Sequence, residues 1–163
     1  MPTFHLQPVT DADFRPGRPG YHAFSVNSRR PVAEVWRELH GDDALHWCAG
    51  IARVAWTSPR PHGVGATRTV RLRTGARVTE RYFRWDEAPD ECMNGFSVEP
   101  ANVPLFRRFG ERYRVGMSGA WTRFTWEFVI EPRVPAVLQG LARRAVLRDL
   151  DRLRRDTAAH LGA

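Results

Sequence analysis

The fold of this chain is decided by its last long segment, residues 135–160, which reads PAVLQGLARRAVLRDLDRLRRDTAAH. Residues of one helical face recur there at steps of three and four. They are Leu138, Leu141, Ala142, Ala145, Asp149 and Leu153, and arginines fall on the opposite side. Pro132 and Pro135 come just before, where proline suits a first helical turn. The pattern predicts one amphipathic helix of about seven turns, roughly 39 Å long.

The middle of this predicted face has small side chains followed by an acid. Ala142 and Ala145 stand where a filled core would favour larger residues, and Asp149 comes next. This order favours a space beneath the helix. The alternative is that Asp149 lies at the edge of the face and pairs with Arg148 or Arg152, which are within reach on a helix. The sequence leaves both interpretations open.

Length and composition indicate one globular domain. The chain has 163 residues, 42% of them hydrophobic, which is enough for a core or for a core with a cavity. Residues 1–20 contain repeated proline and glycine and predict an irregular arm, followed by one domain over residues 21–163. No apolar run reaches the roughly 18 residues of a membrane span, and no signal peptide is evident, so we expect a cytoplasmic protein. Cys48 and Cys92 lack metal or redox spacing and are expected to be reduced thiols.

The charge is unusual because all 25 basic residues are arginine. The formal net charge is +7, with 18 acidic residues. A basic total favours nucleic-acid binding when it is gathered into one patch. Here arginines are scattered along the chain with acids between them, so the sequence favours a solvated surface and argues against a nucleic-acid partner.

Seven segments have the alternation or the turn boundaries of β-strands, and the helices are separate from them. The last strand has the clearest pattern, with Phe124, Trp126 and Phe128 on one face. Short helices are predicted for residues 32–39 and 42–47. The predicted strands are residues 21–27, 51–57, 66–73, 76–86, 92–99, 106–117 and 121–131. Hairpin-linked strands with segregated helices predict an α+β fold, in which the long helix covers the concave side of a curved antiparallel sheet.

Several short patterns in this order make the chain resemble a known superfamily. They are Pro31-Val32-Ala33-Glu34-Val35-Trp36, Trp47, Gly63-Val64-Gly65, Val78-Thr79-Glu80-Arg81 with Trp85-Asp86, the run from Gly119 to Trp126, and the leucine-rich terminal helix. Between Tyr21 and Leu161 the chain resembles the START-like, helix-grip (SRPBCC-type) superfamily. That superfamily includes polyketide cyclase/dehydratase proteins, pollen-allergen-like carriers and plant abscisic acid receptors.

The resemblance implies a largely apolar cavity between the sheet and the terminal helix. It also implies that Glu80 and Asp149 face this cavity and that Phe96 and Val98 line it. Cys48 takes the position of a charged ligand contact in the hormone receptors. A cysteine at that position departs from the receptor pattern and argues against an acidic hormone as ligand.

Alternation alone leaves the strand over residues 76–86 ambiguous, since Glu80 and Tyr82 compete with Phe83 and Trp85 for the inner face. If Glu80 faces inward, it meets Glu111 and Asp149. Carboxylates gathered in a low dielectric raise one another's pKa and can exchange protons near neutral pH. The alternative is a structural network in which Arg68 pairs with Glu80 or Glu111.

The predicted ligand-binding set contains many aromatic residues, which suit a flat or polycyclic apolar ligand but are also common in ordinary cores. The full set is Cys48, Val70, Glu80, Tyr82, Phe96, Val98, Phe109, Glu111, Tyr113, Phe124, Trp126, Ala142, Ala145 and Asp149.

Two functions follow as hypotheses. The first is binding of a small hydrophobic or aromatic molecule, of lipid or polyketide type, in the internal cavity. The alternative is a polyketide cyclase or aromatase in which Glu80, Asp149 and Tyr113 exchange protons. Neither needs a cofactor, and the spacing of His40, His46 and Cys48 does not predict a metal site. A homodimer stays open.

Overall fold

The computed structural model describes residues 2–162, which contain eight β-strands and two α-helices. The α+β class and the seven predicted strands are confirmed, and a two-residue strand from the arm is added. The strands are β1 (Phe4–His5), β2 (Tyr21–Ser28), β3 (Ile51–Trp56), β4 (Thr67–Leu72), β5 (Arg77–Glu87), β6 (Glu91–Ala101), β7 (Phe106–Ser118) and β8 (Trp121–Pro132). The helices are α1 (Val32–His40) and α2 (Gln139–Leu161).

The strands β2 to β8 form one antiparallel sheet in the order β2-β8-β7-β6-β5-β4-β3. Its two faces follow from the alternation of side chains, since Phe124, Trp126 and Phe128 are buried while Arg123 is exposed. Long twisted antiparallel strands curl, and the concave face packs against α1 and α2. This is the helix-grip architecture that the sequence resemblance implied.

The prediction of a second short helix over residues 42–47 is wrong. Residues 41–50 form successive turns between α1 and β3. Leu45 has a φ angle of 61°, which a right-handed helix cannot contain. The side chains of Leu45 and Cys48 are nevertheless buried in the core. Burial of these two side chains, rather than helical periodicity, determines the backbone here.

The terminal helix is confirmed, but its inner face is rotated from the predicted one. The residues of α2 that face the core are Val146, Leu150, Leu153, Thr157 and Leu161. Ala145 and Asp149 are exposed, and Ala142 is half-buried. The side chain of Asp149 is 72% exposed and lies 3.6 Å from Arg148, so the edge alternative is the correct one. The rotation follows from side-chain size, because burying valine and leucine removes more apolar surface from water than burying alanine.

Side chains near the carboxyl end of α2 hold it to the rest of the protein. Asp156 accepts a hydrogen bond of 2.8 Å from the backbone N–H of Ala49. The hydroxyl of Thr157 accepts one of 3.3 Å from the Trp47 indole. The ring of His160 stacks on Trp47 with centroids 4.3 Å apart and pairs with Glu38 on α1. We call these contacts the carboxyl-end anchor of α2.

The amino-terminal arm lies on the convex face of the sheet. Val9 and Phe14 are buried there against Val129, in a small second core. The N–H of Val9 donates to the Ser97 hydroxyl at 2.9 Å. Gly110 on β7 permits this contact, because a Cβ added at that position would lie 2.7 Å from Val9. The arm, which contains β1 and a short 3-10 helix over Asp11–Asp13, therefore packs closely on the sheet.

A register shift in β5 resolves the ambiguity in that strand. The ladder with β6 is irregular between Tyr82 and Arg84. Before this bulge Val78, Glu80 and Tyr82 face inward, and after it Trp85 faces inward as well. Phe83 lies on the convex face with the second core. Glu80, Tyr82 and Trp85 therefore all face inward, because the extra residue at the bulge changes which side chains of β5 point to the concave face.

A buried ionic cluster as candidate functional site

The centre of the concave face holds a fully buried ion pair. Arg68 on β4 and Glu80 on β5 are direct partners in the antiparallel register, and both side chains are buried. The Nε of Arg68 donates to the Glu80 carboxylate. The same guanidinium donates to the Tyr113 hydroxyl at 3.0 Å and to the Leu39 carbonyl at 3.3 Å. The network alternative from the sequence is therefore present as an Arg68–Glu80 pair.

Four aromatic rings surround this guanidinium. Its central carbon lies 5.1 Å from the ring centroid of Phe96 and 5.6 to 5.8 Å from those of Tyr82, Trp56 and Tyr113. Aromatic faces attract cations, and the attraction is stronger where water is excluded. The cage therefore stabilises a charge that burial alone would disfavour.

Glu111 on β7 is the second buried carboxyl of the cluster. It accepts a hydrogen bond of 2.7 Å from the Trp126 indole. Burial raises the pKa of Glu111 to about 8, and the charge of Glu80 acts in the same direction. The bond from Trp126 and the charge of Arg68 oppose this rise without cancelling it. At neutral pH, Glu111 therefore holds a proton.

The charges of the cluster balance. Arginine keeps its proton in proteins. Burial raises the pKa of Glu80, while the charge and hydrogen bond of Arg68 act to lower it. Because the guanidinium contacts Glu80 directly, Glu80 is the carboxyl that ionises, and Glu111 keeps the proton. The cluster of Arg68, Glu80, Tyr113 and Glu111, called the ionic cluster below, is thus neutral near pH 7.

A neutral histidine lies beside the ionic cluster. The Nδ1 of His40 donates to the Trp36 carbonyl at 2.7 Å, and Nε2 accepts from the Asn94 side-chain amide. Burial, together with the charge of Arg68, lowers the pKa of His40 to about 3. His40 therefore fixes the orientation of Asn94 and carries no charge at physiological pH.

Within residues 2–162, four buried side-chain atoms have no hydrogen-bond partner. Two are the ring nitrogens of His62, which stacks on Trp56, and the others are the hydroxyl oxygen of Tyr82 and the side-chain Oδ1 of Asn94. The Tyr82 ring lies 6.5 Å from the His40 ring, centroid to centroid. Buried polar groups are nearly always paired, so each unpaired atom needs an explanation.

The structure brings most of the predicted ligand-binding residues to this concave face. The buried ones are Cys48, Val70, Glu80, Tyr82, Phe96, Val98, Glu111, Tyr113, Phe124 and Trp126, and Phe109 is half-buried. Ala145 and Asp149 are the corrections, because both face solvent on α2. Burial raises the pKa of Cys48 to about 12, so this residue is a protonated, unreactive thiol.

Sequence reasoning missed the roles of His40, Asn94 and Trp56. The sequence presents His40 only as a candidate metal ligand. Within residues 2–162 no three His, Cys, Asp or Glu side chains come together as a metal site requires. The helical spacing of Trp36 and His40, which places them one turn apart on the buried face of α1, was the signal available in the sequence.

Two grooves lie at the margins of the sheet. One, of about 600 Å³, lies between the amino-terminal half of α2 and the ends of β2 and β8, where His22, Ile130 and Val146 line it. We call it the helix groove. The other, of about 680 Å³, lies along the free edge of β3 and is lined by Asp42, Arg53 and Trp56 among others.

The comparison with protein families decides the membership of the chain. Residues 23–162 match the family described as polyketide cyclase / dehydrase and lipid transport. The chain belongs to this family. The chain is also similar to two curated proteins, one from Mycobacterium tuberculosis and one from Mycobacterium bovis, both described as uncharacterized. Each is 34% identical over 122 residues, which are 72% of this chain and 71% of the relative.

Solved structures extend the family likeness to the fold. A START superfamily protein from Mycobacterium smegmatis has a TM-score of 0.69 at 8% identity, covering 86% of this chain and 96% of that one. The Zhui aromatase/cyclase from Streptomyces sp. R1128 has a TM-score of 0.66 at 13% identity, covering 86% and 90%. Ara h 8.0201 has a TM-score of 0.63 at 13% identity, covering 87% and 98%. The family member described here is therefore a START-like helix-grip protein. No helix within residues 2–162 is long and apolar enough to cross a membrane.

Proposed function

We propose that the protein binds a small, neutral, largely aromatic molecule against its concave face. The observation that carries this proposal is the pair of unpartnered buried atoms, Tyr82 Oη and Asn94 Oδ1, beside the ionic cluster. An unsatisfied buried polar group costs about 1–3 kcal/mol. A ligand that bonds to both atoms would recover that free energy. The family description, which includes lipid transport, supports binding of an apolar molecule.

The chemistry of these atoms restricts the ligand. Asn94 Oδ1 only accepts a hydrogen bond, so the ligand must offer a hydroxyl or N–H there. The Tyr82 hydroxyl can donate to a ligand oxygen. Because Arg68 is already neutralised by Glu80, the cluster gives no free cation for a carboxylate, and a charged ligand would lose its hydration without compensation. A phenol or hydroxylated polycycle fits these requirements.

The helix groove is the proposed entrance. Its wall residue Ile130 belongs to the same core cluster as Trp126, whose indole donates to Glu111 of the ionic cluster. The carboxyl-end anchor lies at the other end of α2, so the amino-terminal half can move away while the anchor holds. The loops of residues 63–65 and 100–104 are less suitable as an entrance, because they are held at separate points along β5. Gly65 bonds to Tyr82 and Asn102 to Arg77.

Tyr82→Phe tests the proposal, with 2-naphthol as probe and 2-naphthoic acid as its charged analogue. Calorimetric titration is expected to show tighter binding of the naphthol, and the variant should weaken it roughly 5- to 10-fold, since one hydrogen bond is lost. Because the Tyr82 hydroxyl has no partner in the free protein, urea unfolding should show that the variant is as stable as wild type or more stable by about 1 kcal/mol.

Tyr113→Phe is the matched control. It removes a hydroxyl that accepts from Arg68, so it should lower the free energy of unfolding. Failure of wild type to bind either probe, or equal affinity of wild type and Tyr82→Phe for naphthol, contradicts the proposed ligand contact.

A second candidate function is cyclisation of a bound polyketide, which one observation favours. Glu111 keeps its proton up to a pKa of about 8, so it can donate to a ligand carbonyl near neutral pH. Tyr113 and Glu80 lie in the same cluster, whereas Asp149 does not. If the protein is an enzyme, Glu111→Gln is expected to bind a poly-β-ketone substrate but not to convert it. Chromatography of the products measures this conversion. A carrier would show no conversion with either protein.

A further inference from the structure

A group of large apolar side chains is exposed where α2 begins. They are Val137, Leu138 and Leu141, with exposed fractions of 88%, 43% and 63%, and Leu105, which is 49% exposed. The carbonyl of Leu105 accepts from the N–H of Arg133 at 2.9 Å, which holds its loop beside the segment leading into α2. Gathered exposed apolar residues mark an interaction surface more often than scattered ones. We call these four residues the helix-start patch.

Arginines flank the helix-start patch. Arg107, Arg133, Arg143 and Arg144 are all exposed. Within residues 2–162, no carboxylate oxygen lies within 4.0 Å of the guanidinium nitrogens of any of the four, whereas Arg30, Arg81 and Arg84 on other surfaces are paired. The surface thus combines apolar side chains with cations that are free to meet an external anion.

This combination selects one class of partner. A second copy of the chain would place the same arginines opposite one another, which is repulsive for a protein of net charge +7. Nucleic acid would satisfy the arginines and leave the apolar side chains in water. An anionic lipid bilayer satisfies both, because its headgroups attract arginine and its interface accepts valine and leucine.

We propose that the helix-start patch docks on anionic lipid bilayers, with Val137 and Leu141 entering the headgroup region and the flanking arginines contacting lipid phosphates. The helix groove is continuous with this surface, since Arg107, Gln139, Gly140 and Arg143 line it. Docking would therefore bring the proposed entrance to the membrane, where apolar molecules partition. The delivery of a ligand from the membrane to the entrance rests on the proposed binding function, but docking itself is measured without the ligand.

Co-sedimentation with vesicles tests the proposal. Wild type is expected to bind vesicles of phosphatidylcholine and phosphatidylglycerol, mixed about 70:30, at least tenfold more tightly than pure phosphatidylcholine, with binding that weakens as salt rises. The double variant Val137→Asp/Leu141→Asp should lose at least tenfold in affinity for the anionic vesicles. Both positions are exposed, so the fold should not change.

Val64→Asp is the matched control, because Val64 is also 69% exposed but lies in the loop between β3 and β4, four strands from β8. It should bind vesicles as wild type does. Equal binding of the anionic vesicles by wild type and the double variant would contradict insertion of the helix-start patch. The proposal would also be wrong if wild type formed dimers but did not bind vesicles, and if the double variant were monomeric. All variants should keep the wild-type affinity for 2-naphthol, so a failure of docking is distinguishable from a failure of ligand binding.

Discussion

Replacing Arg68 with methionine is expected to lower the free energy of unfolding by about 3–5 kcal/mol at pH 7, because it leaves the Glu80 carboxylate buried without its partner. Both side chains of the pair are buried, and the guanidinium also bonds to Tyr113 and Leu39. Removing both charges should be far less damaging, since apolar residues of similar size often replace a buried pair at little loss. Arg68→Met/Glu80→Leu is therefore expected to recover most of the stability in urea unfolding.

Arg148→Met is the control for the loss of an arginine as such. Its side chain is 79% exposed and lies 3.6 Å from Asp149, so the change should alter stability by less than about 1 kcal/mol. An Arg68→Met protein as stable as wild type would show that the pair is not a buried charge pair in solution. A double variant no more stable than the single one would show that the packing of Arg68, rather than its charge, is what matters.

The second large effect is a loss of stability as pH rises from about 6.5 to above 8. Burial raises the pKa of Glu111 from 4.5 to about 8, so between these values the folded protein binds a proton that the unfolded chain releases. The stability from this group is fully present below 4.5 and is lost as pH rises through 8. The limiting slope is about 1.4 kcal/mol per pH unit.

Below pH 6.5, His40 opposes the effect of Glu111 on stability. Burial lowers the pKa of His40 from 6.5 to about 3, so the unfolded chain binds the extra proton between these values and stability rises with pH there. The two slopes oppose each other up to pH 6.5, and above it Glu111 acts without this opposition. Urea unfolding at pH 6.5, 7, 7.5 and 8 should show the decline in wild type and its absence in Glu111→Gln. Parallel curves for the two proteins would mean that Glu111 ionises normally.

The sheet could be predicted from the sequence because its strands alternate strongly and turn residues separate them. In β7, Glu111, Tyr113 and Val115 share one face by simple period-two reasoning, and the same is true of Trp126 in β8. Three-dimensional packing decided what periodicity could not. The bulge after Tyr82 adds one residue to β5, and no turn residue in the sequence marks it.

The candidate site was predictable in part for the same reason. Strand positions such as Glu80 and Glu111 are fixed by alternation and register, so their convergence could be anticipated. The rotation of α2 could not, because the stripe through Ala145 and Asp149 and the one through Val146 and Leu150 differ by a single residue step, about 100° around the axis. The unpaired state of Asn94 Oδ1 depends on the His40 tautomer and on contacts distant in sequence.

The position of the carboxyl-end anchor predicts that local opening of α2 differs between its two ends. Its side-chain hydrogen bonds to α1 and to the turns before β3 come from Asp156, Thr157 and His160, all within the last six residues of the helix. Amide deuteration along α2 should therefore be graded, fast near Leu141 and slow near Leu161, because the carboxyl-end anchor restrains only that end of the helix. If the helix groove is the entrance proposed above, we expect sequence changes near Leu141 to alter ligand entry without disturbing the carboxyl-end anchor.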